Sequence, residues 1–129
     1  MSTKGSAAKK ALLVEDDPPL RKLVKSYLEL SQFVVNEQPD GRKAMAALKE
    51  STFDLIVLDL MLPESSGYDV LEFIRKEGMG QVPVLMMSAR GLPEDRAHAE
   101  ELGVALYLIK PFTRADFTRA VRAVLESKK

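Results

Sequence analysis

The chain has 129 residues, no cysteine, and 19 lysines and arginines balanced by 19 aspartates and glutamates. This length fits one domain, which can bury an ordinary core without disulfides. The lack of cysteine excludes disulfides, thiolate metal sites and cysteine nucleophiles, and is typical of a reducing cytoplasm. Zero net charge gives no basic surface for direct nucleic-acid binding, and no apolar run approaches the roughly 20 residues that cross a bilayer. We therefore expect a cytoplasmic protein that binds neither nucleic acid nor membrane directly.

Residues 1–9 are small, polar and basic, which predicts a disordered tail before a single domain at 10–127. Five short apolar runs follow along the domain. Each is too short for a helix, and together they are rich in branched aliphatic residues, which is typical of strands buried on both faces. The predicted strands are 10–14, 33–37, 55–58, 84–87 and 105–109.

Helical patterns alternate with these strands. Pro18 opens the first helix, and Asp17 before it is a favoured N-cap. Its apolar face is predicted to contain Leu20, Leu23, Val24, Tyr27 and Leu28. The other predicted helices are 42–50, 67–77, 93–102 and 113–126.

The helix predicted at 93–102 has the weakest apolar face. Its inward positions offer little beyond Ala97 and Leu102. Weak burial is typical of segments that move, so we expect this helix to be mobile. It carries His98, the single histidine of the chain, which we interpret as a solvated surface residue.

Strands alternating with helices of about ten residues predict a (βα)5 α/β fold, with a doubly wound five-stranded parallel sheet covered by helices on both faces. Ligands of such sheets bind at the carboxyl ends of the strands. Polar residues stand at those ends in this chain, and we expect them to converge although they are far apart in sequence. They are Glu15, Asp16, Asp59, Ser88 and Lys110.

The converging carboxylates would repel one another, which raises their pKa values unless a cation compensates them. Lys110 is one such cation, and Mg²⁺ is the other, because acid clusters without thiol or imidazole suit Mg²⁺ or Mn²⁺. A carboxylate such as Asp59 beside these cations is a competent nucleophile toward phosphorus and forms an aspartyl phosphate. The Ser88 hydroxyl could then donate a hydrogen bond to a phosphoryl oxygen.

Each of these residues also has a simpler interpretation by itself. Asp59 fits a helix cap or a loop acid, and Glu15 and Asp16 fit caps of the first helix. Ser88 is an ordinary strand-end hydroxyl, and Lys110 an ordinary solvated lysine. The specificity of the signal lies in the five residues together.

Four segments combine these residues with their neighbours: Leu13-Val14-Glu15-Asp16-Asp17; Asp54 to Asp59 continuing through Leu62-Pro63 and Gly67; Ser88-Ala89; and Lys110-Pro111-Phe112. In these segments the chain resembles the receiver domains of two-component response regulators over about residues 10–126, an extent like that of the single-domain chemotaxis regulator. Gly41 followed by Ala44 also fits the start of the family's second helix. The fold that this resemblance implies is the flavodoxin-like receiver fold.

The resemblance also implies a role for each acid. Asp59 would be the phosphoacceptor, and Glu15 and Asp16 would serve Mg²⁺, with Asp16 the more direct ligand. Met61 would give its backbone carbonyl to the metal. If the first strand ended one residue later, Asp17 would take part as well.

Three further roles follow from the resemblance. Ser88 would be the switch hydroxyl, and the Lys110 side chain would bind the phosphate. The peptide bond from Lys110 to Pro111 is commonly cis in the family. Tyr107 would be the switch aromatic, although an aromatic packed at the end of the sheet is an alternative interpretation. Arg90 would flank the phosphorylation site together with Met61 and tune the lifetime of the phosphate.

The implied function is a phosphorylation-dependent switch in bacterial signal transduction. A sensor histidine kinase or a phosphotransfer protein would phosphorylate Asp59, Ser88 would move toward the phosphate, and Tyr107 would turn inward. The face built from the fourth helix, fifth strand and fifth helix would then control a partner protein, or a C-terminal effector domain. The chain would be no enzyme beyond its own phosphotransfer and autodephosphorylation.

Ala105 and Leu106 replace an Asp-Asp pair that is usual in receivers that dimerise to drive a DNA-binding domain, so we expect a monomer or a weak dimer. Two alternatives stay open. A phosphohydrolase of related fold usually carries Asp-x-Asp after its first strand, whereas here Asp59 follows the third. A pseudo-receiver would keep the fold and signal by binding alone, without phosphorylation.

Overall fold

The computed structural model describes residues 8–127. Most of the tail predicted at 1–9 therefore lies outside the described residues. Lys9 belongs to the first strand, which therefore begins one residue earlier than predicted. Within residues 8–127, no helix combines the length and the apolar character that crossing a membrane requires.

The described residues form one five-stranded sheet with five helices. The strands are β1 Lys9–Val14, β2 Phe33–Gln38, β3 Leu55–Asp59, β4 Val84–Ser88 and β5 Leu106–Ile109. The helices are α1 Pro18–Leu30, α2 Gly41–Glu50, α3 Gly67–Lys76, α4 Pro93–Glu101 and α5 Arg114–Ser127. All strand pairs are parallel, in the order β2-β1-β3-β4-β5. The predicted (βα)5 fold is confirmed, with element bounds shifted by single residues.

The sheet separates two hydrophobic clusters, which is why its central strands are continuous apolar runs. Successive residues of a strand point to opposite faces, so each strand supplies both clusters. One cluster joins α2, α3 and α4 to the sheet residues Leu12, Val14, Ile56, Leu58 and Met86. The other joins α1 and α5 to the sheet residues Ala11, Leu13, Leu55, Val57, Leu85 and Met87.

Two predicted helix faces are wrong in part. Leu23 of α1 is 46% exposed, whereas Val24 and Leu28 are buried against the sheet. Each residue of a helix is rotated by about 100° from the one before it, so Leu23 points away from the buried side. In α4 the buried residues are Asp95 and Ala99, whereas Ala97 is exposed. Asp95 and Ala99 lie one helical turn apart, so the residue midway between them faces away from the sheet. The buried residues of α2 are Gly41, Ala44, Ala47 and Leu48, and those of α3 are Gly67, Val70, Leu71 and Ile74.

The start of α3 is pressed against the end of β3. The Gly67 amide donates to the Leu60 carbonyl at 2.8 Å. A Cβ atom built on Gly67 would lie only 2.7 Å from the Asp59 carbonyl oxygen, closer than real Cβ atoms approach. Ser66 and Asp69 close a capping box at the same point. This glycine therefore lets α3 begin directly behind Asp59.

Candidate functional site

Lys110 joins the ends of β1 and β3 at the carboxyl edge of the sheet. Its Nζ lies 2.9 Å from Glu15 Oε1 and 3.0 Å from Asp59 Oδ2. Glu15 is 1% exposed and Asp59 is 2% exposed, whereas the Lys110 side chain is 19% exposed. One partly buried cation therefore compensates two buried carboxylates. The peptide bond from Lys110 to Pro111 is cis.

Backbone groups hold the other oxygens of the two acids. The Met61 amide donates to Asp59 Oδ1 at 3.1 Å, and the Asp17 amide donates to Glu15 Oε2 at 3.1 Å. The Arg21 side chain donates to the Glu15 carbonyl at 2.9 Å. Both carboxylates are thereby fixed in orientation.

The balance of charge leaves this cluster short of positive charge. Burial raises the pKa of Glu15 to about 7, and the Asp59 charge adds to that effect, against the hydrogen bond from Lys110. Burial acting alone would lower the pKa of Lys110, but its hydrogen bond to Glu15 and the charge of Asp59 raise it instead. Glu15, Asp16 and Asp59 bring three carboxylates to one lysine, so a further cation would favour the ionised form of Glu15.

The third acid, Asp16, is exposed and opens the cluster to solvent. One carboxylate oxygen each from Glu15, Asp16 and Asp59 lies within 4.8 Å of the others. Such an oxygen-only donor set fits Mg²⁺ or Mn²⁺, which bind one or two carboxylates and complete their shell with water or phosphate. The Asp17 side chain instead caps α1, accepting from the Leu20 amide at 3.2 Å, so the alternative that places Asp17 in the cluster is wrong.

A groove of about 400 Å³ adjoins the exposed acid and gives access to it. It is lined by Asp16, Leu60, Met61, Leu62, Pro63 and Ser66. Met61 thus lies beside Asp16, at the position where the family resemblance implies a metal ligand. That its carbonyl binds a metal stays a prediction.

Ser88 is fully buried at the end of β4, on the strand between β3 and β5. Its Oγ accepts a hydrogen bond from the Arg90 amide at 2.9 Å, and its carbonyl accepts from the Lys110 amide at 2.8 Å. The structure therefore brings Ser88 to the same edge as the acids and Lys110. Its part in phosphate binding stays a prediction.

Tyr107 is buried on β5, and its hydroxyl donates to the Arg90 carbonyl at 2.7 Å. The Arg96 guanidinium lies 5.5 Å from the centre of its ring. The Tyr107 side chain thus occupies an inward position in this structure and holds the turn that follows Ser88. Its role as a switch stays a prediction.

Sequence reasoning missed a polar network beside this edge, between α3 and α4. Asp95, buried on α4, accepts from the Tyr68 hydroxyl at 2.9 Å and lies 3.1 Å from Arg90 Nε. The Tyr68 ring stacks on His98 with centroids 4.3 Å apart. His98 is exposed as expected, but it is packed rather than merely solvated. No sequence pattern signals the network, because its members come from separate segments.

Comparison with protein families and curated proteins gives one consistent result. The family model of the response regulator receiver domain matches residues 11–122. The transcriptional regulatory protein CpxR of Klebsiella pneumoniae is 41% identical over 116 residues, covering 90% of this chain and 49% of that protein. The phosphate regulon transcriptional regulatory protein PhoB of Escherichia coli is 38% identical over 119 residues, covering 92% and 52%. The chain spans about half the length of these relatives.

Solved structures from Vibrio cholerae and Pseudomonas aeruginosa have a similar fold. The chemotaxis protein CheY4 of Vibrio cholerae has a TM-score of 0.86 at 27% identity, covering 92% of this chain and all of that one. The receiver domain of a sensor histidine kinase of Pseudomonas aeruginosa, with a magnesium ion in its active site cleft, has a TM-score of 0.84 at 30% identity, covering 93% and 99%. With the family match, these likenesses show that the chain belongs to the receiver domain family of two-component response regulators.

Proposed function

We propose that the chain is a phosphorylation-dependent signalling switch whose Asp59 accepts a phosphoryl group in the presence of Mg²⁺. The observation that carries this proposal is the buried Asp59 carboxylate, hydrogen-bonded by Lys110 and adjoining two further acids at the open edge of the sheet. Nucleophile, fixed cation and a set of oxygen donors thus lie together, as phosphoryl transfer requires.

In the proposed reaction, an Asp59 oxygen attacks the phosphorus of the donor. The new O–P bond forms as the bond between phosphorus and the donor's leaving group breaks, and the leaving group departs with that electron pair. Lys110 offsets the negative charge beside the attacking carboxylate. The Ser88 hydroxyl, once released from the Arg90 amide, donates to a phosphoryl oxygen.

Glu15 and Asp16 would hold the divalent ion together with Asp59 and the Met61 carbonyl. When bound, Mg²⁺ supplies positive charge to the phosphoryl oxygens, and Mn²⁺ suits the same donors. The proximity of the three acids supports this assignment, because one carboxylate oxygen of each lies within 4.8 Å of the others. The magnesium ion in the Pseudomonas aeruginosa receiver domain supports it as well.

We assign the donor to a phosphohistidine, carried by a sensor histidine kinase or by a phosphotransfer protein. The output surface would be the face of α4, β5 and α5. On this face Tyr107 of β5 contacts Arg96 of α4 and donates a hydrogen bond to the Arg90 carbonyl. It would act on a partner protein, or on an effector region of a longer regulator, as in the transcriptional regulators that resemble this chain over half their length. The chain would work in the cytoplasm, as a monomer or weak dimer, without any catalysis on other substrates.

Arg90 and Met61 would set how long the phosphate survives. The Arg90 guanidinium lies 4.0 Å from the Met61 sulfur, and the Met61 amide binds Asp59. Both side chains are exposed at the mouth of the site, where they would control the approach of water to the phosphoryl group.

The test is intact-mass measurement after incubation with a small-molecule phosphodonor, with and without Mg²⁺. The proposal predicts one added phosphoryl group on the wild type only when Mg²⁺ is present, and none on Asp59→Asn. Asp54→Asn is the matched control, because Asp54 precedes the opposite end of the same strand; it should be phosphorylated like the wild type. A folded, Mg²⁺-bound wild type without adduct would favour a pseudo-receiver, and an adduct on Asp59→Asn would point to another acceptor.

A further inference from the structure

Arg90 links the candidate phosphorylation site to α4 through both its backbone and its side chain. Its amide and carbonyl are held by Ser88 Oγ and by the Tyr107 hydroxyl. Its guanidinium reaches from Met61, at 4.0 Å, to Asp95 of α4, at 3.1 Å. The guanidinium therefore stands between the mouth of the site and a buried acid of the helix.

Asp95 is the unusual partner in this arrangement. It is 6% exposed on a helix whose other buried residue is Ala99, so the inward face of α4 carries a carboxylate where a hydrophobic side chain would be ordinary. Its Oδ1 is satisfied by the Tyr68 hydroxyl. Its Oδ2 is buried and receives no hydrogen bond among the residues that the structure describes, although Arg90 Nε lies nearby.

The contact between Arg90 and Asp95 is thus an ion pair without hydrogen-bond alignment. The Arg90 side chain is 49% exposed, so a ligand in solvent can reach it. Arginine binds a phosphoryl group through two parallel hydrogen bonds, and a phosphoryl group carries more charge than a carboxylate. A phosphoryl group near Met61 would therefore compete well for this guanidinium.

We propose, building on the phosphorylation of Asp59 proposed above, that Asp95 is a positioning residue that holds the Arg90 side chain back from the site. A phosphoryl group on Asp59 draws the guanidinium away, and the buried carboxylate of α4 loses its counter-charge. The helix is then held by the Tyr68 hydrogen bond and the stacking of Tyr68 on His98. Competition for one guanidinium is in this way the link between the site and α4.

The competition sets the expected effect of each variant. The apparent affinity for a ligand rises with the fraction of molecules that are competent to bind it. Here the competent molecules are those in which Arg90 is not paired with Asp95. Asp95→Asn removes the competing charge and keeps an oxygen for Tyr68, so it should tighten phosphoryl binding about two- to fivefold, the range of half-exposed ion pairs. Arg90→Gln should weaken that binding, and Asp95→Asn should then have no further effect.

The probe is beryllofluoride, a phosphoryl mimic for aspartate, titrated in Mg²⁺ against the wild type, the two single variants and the double variant. Asp59→Asn shows whether the ligand binds at the proposed acceptor. Glu94→Gln is the matched control, because it removes one exposed charge from the same helical turn; it should leave the affinity unchanged. The melting temperature of each variant, with and without Mg²⁺, shows that it is folded.

Tightening by Asp95→Asn that disappears in the Arg90→Gln background is the expected result. An Asp95→Asn affinity equal to or weaker than that of the wild type, or tightening that persists without Arg90, would overturn the inference and leave the proposed function intact. Failure of the folded wild type to bind beryllofluoride would overturn both.

A measurement on the wild type covers the case in which Asp95→Asn does not fold. Beryllofluoride should speed the exchange of backbone amide hydrogens in residues 95–101 of α4, because the buried acid has lost its counter-charge. Unchanged or slower exchange there would contradict the inference.

Discussion

Lys110 Nζ lies 3.0 Å from Asp59 Oδ2 although β4 runs between β3 and β5. The lysine follows β5, the aspartate ends β3, and the intervening strand ends in the small residue Ser88. The lysine side chain therefore reaches across the end of β4. The proposed chemistry depends on this crossing, because it brings a cation to a carboxylate that the fold has buried.

Replacing Lys110 with methionine should destabilise the protein in the absence of Mg²⁺. Two buried acids would lose their shared cation, a change that costs about 3–5 kcal/mol for a fully buried pair. Because Lys110 is partly solvated and Glu15 can take up a proton, we expect a loss of about 1–3 kcal/mol in the free energy of unfolding, measured with urea. Lys22→Met, at an exposed position of α1, is the control. Equal stabilities of the two variants would contradict the compensating role.

Gly67→Ala should be destabilising because of the close approach of α3 to β3. The added Cβ would lie 2.7 Å from the Asp59 carbonyl oxygen and 2.8 Å from Leu60 Cα, so backbone has to move. We expect a loss of about 1–3 kcal/mol in urea unfolding, the usual cost of overpacking. At Gly80 a Cβ would meet nothing within 4 Å, so Gly80→Ala should change stability little. Similar losses at both glycines would argue against the steric reason.

Tyr68 should ionise at unusually high pH. Burial, and after it the hydrogen bond and charge of Asp95, raise the pKa of Tyr68 to about 12. A group whose pKa is raised by folding contributes stability that is full below its unfolded pKa, near 10, and is lost as pH rises toward 12.

An NMR titration of the labelled tyrosine rings measures this directly. Asp95→Asn should lower the pKa of Tyr68, because the neutral amide no longer opposes ionisation of the hydroxyl. Asp69→Asn, an exposed change on the same helix as Tyr68, should leave it in place. An unchanged pKa of Tyr68 in the Asp95→Asn variant would contradict the hydrogen bond between Tyr68 and Asp95.

The Tyr107 hydroxyl should contribute measurable stability through the Arg90 carbonyl. Tyr107→Phe keeps the ring packing and removes a 2.7 Å hydrogen bond, which should lower the free energy of unfolding by about 0.5–1.5 kcal/mol. Tyr27→Phe is the control, since the contact recorded for Tyr27 is ring packing on Phe117. A cost no larger than that of Tyr27→Phe would show that the hydroxyl does not hold the turn after Ser88.

The fold and the convergence of the main site residues could be predicted because both depend on patterns local in sequence. Each strand is a short apolar run, and each run is followed by its polar residue, so the sheet itself brings Asp59, Ser88 and Lys110 to one edge. Because the carboxyl ends of parallel strands lie at one edge of the sheet, the five polar residues predicted from the sequence form one site.

The network around Asp95 could not be predicted, because three separate segments supply it. Hydropathy patterns assign an acid to the outside of a helix, and that rule placed Ala97 rather than Asp95 on the inward face of α4. The Tyr68 hydroxyl and the Arg90 guanidinium offset the cost of burying this carboxylate, and neither is visible until the fold is assembled. The exposure of Leu23 has a similar origin, since the facing elements set which side of α1 is covered.

The most direct test of the central claim is to locate the phosphoryl group. Borohydride reduces the acyl phosphate of an aspartate to homoserine, and peptide mapping then finds the residue that carried it. After phosphorylation in Mg²⁺, we expect homoserine at position 59 and at no other acid of the cluster. Reduction products at Glu15 or Asp16, with Asp59 unchanged, would show that a different carboxylate is the acceptor.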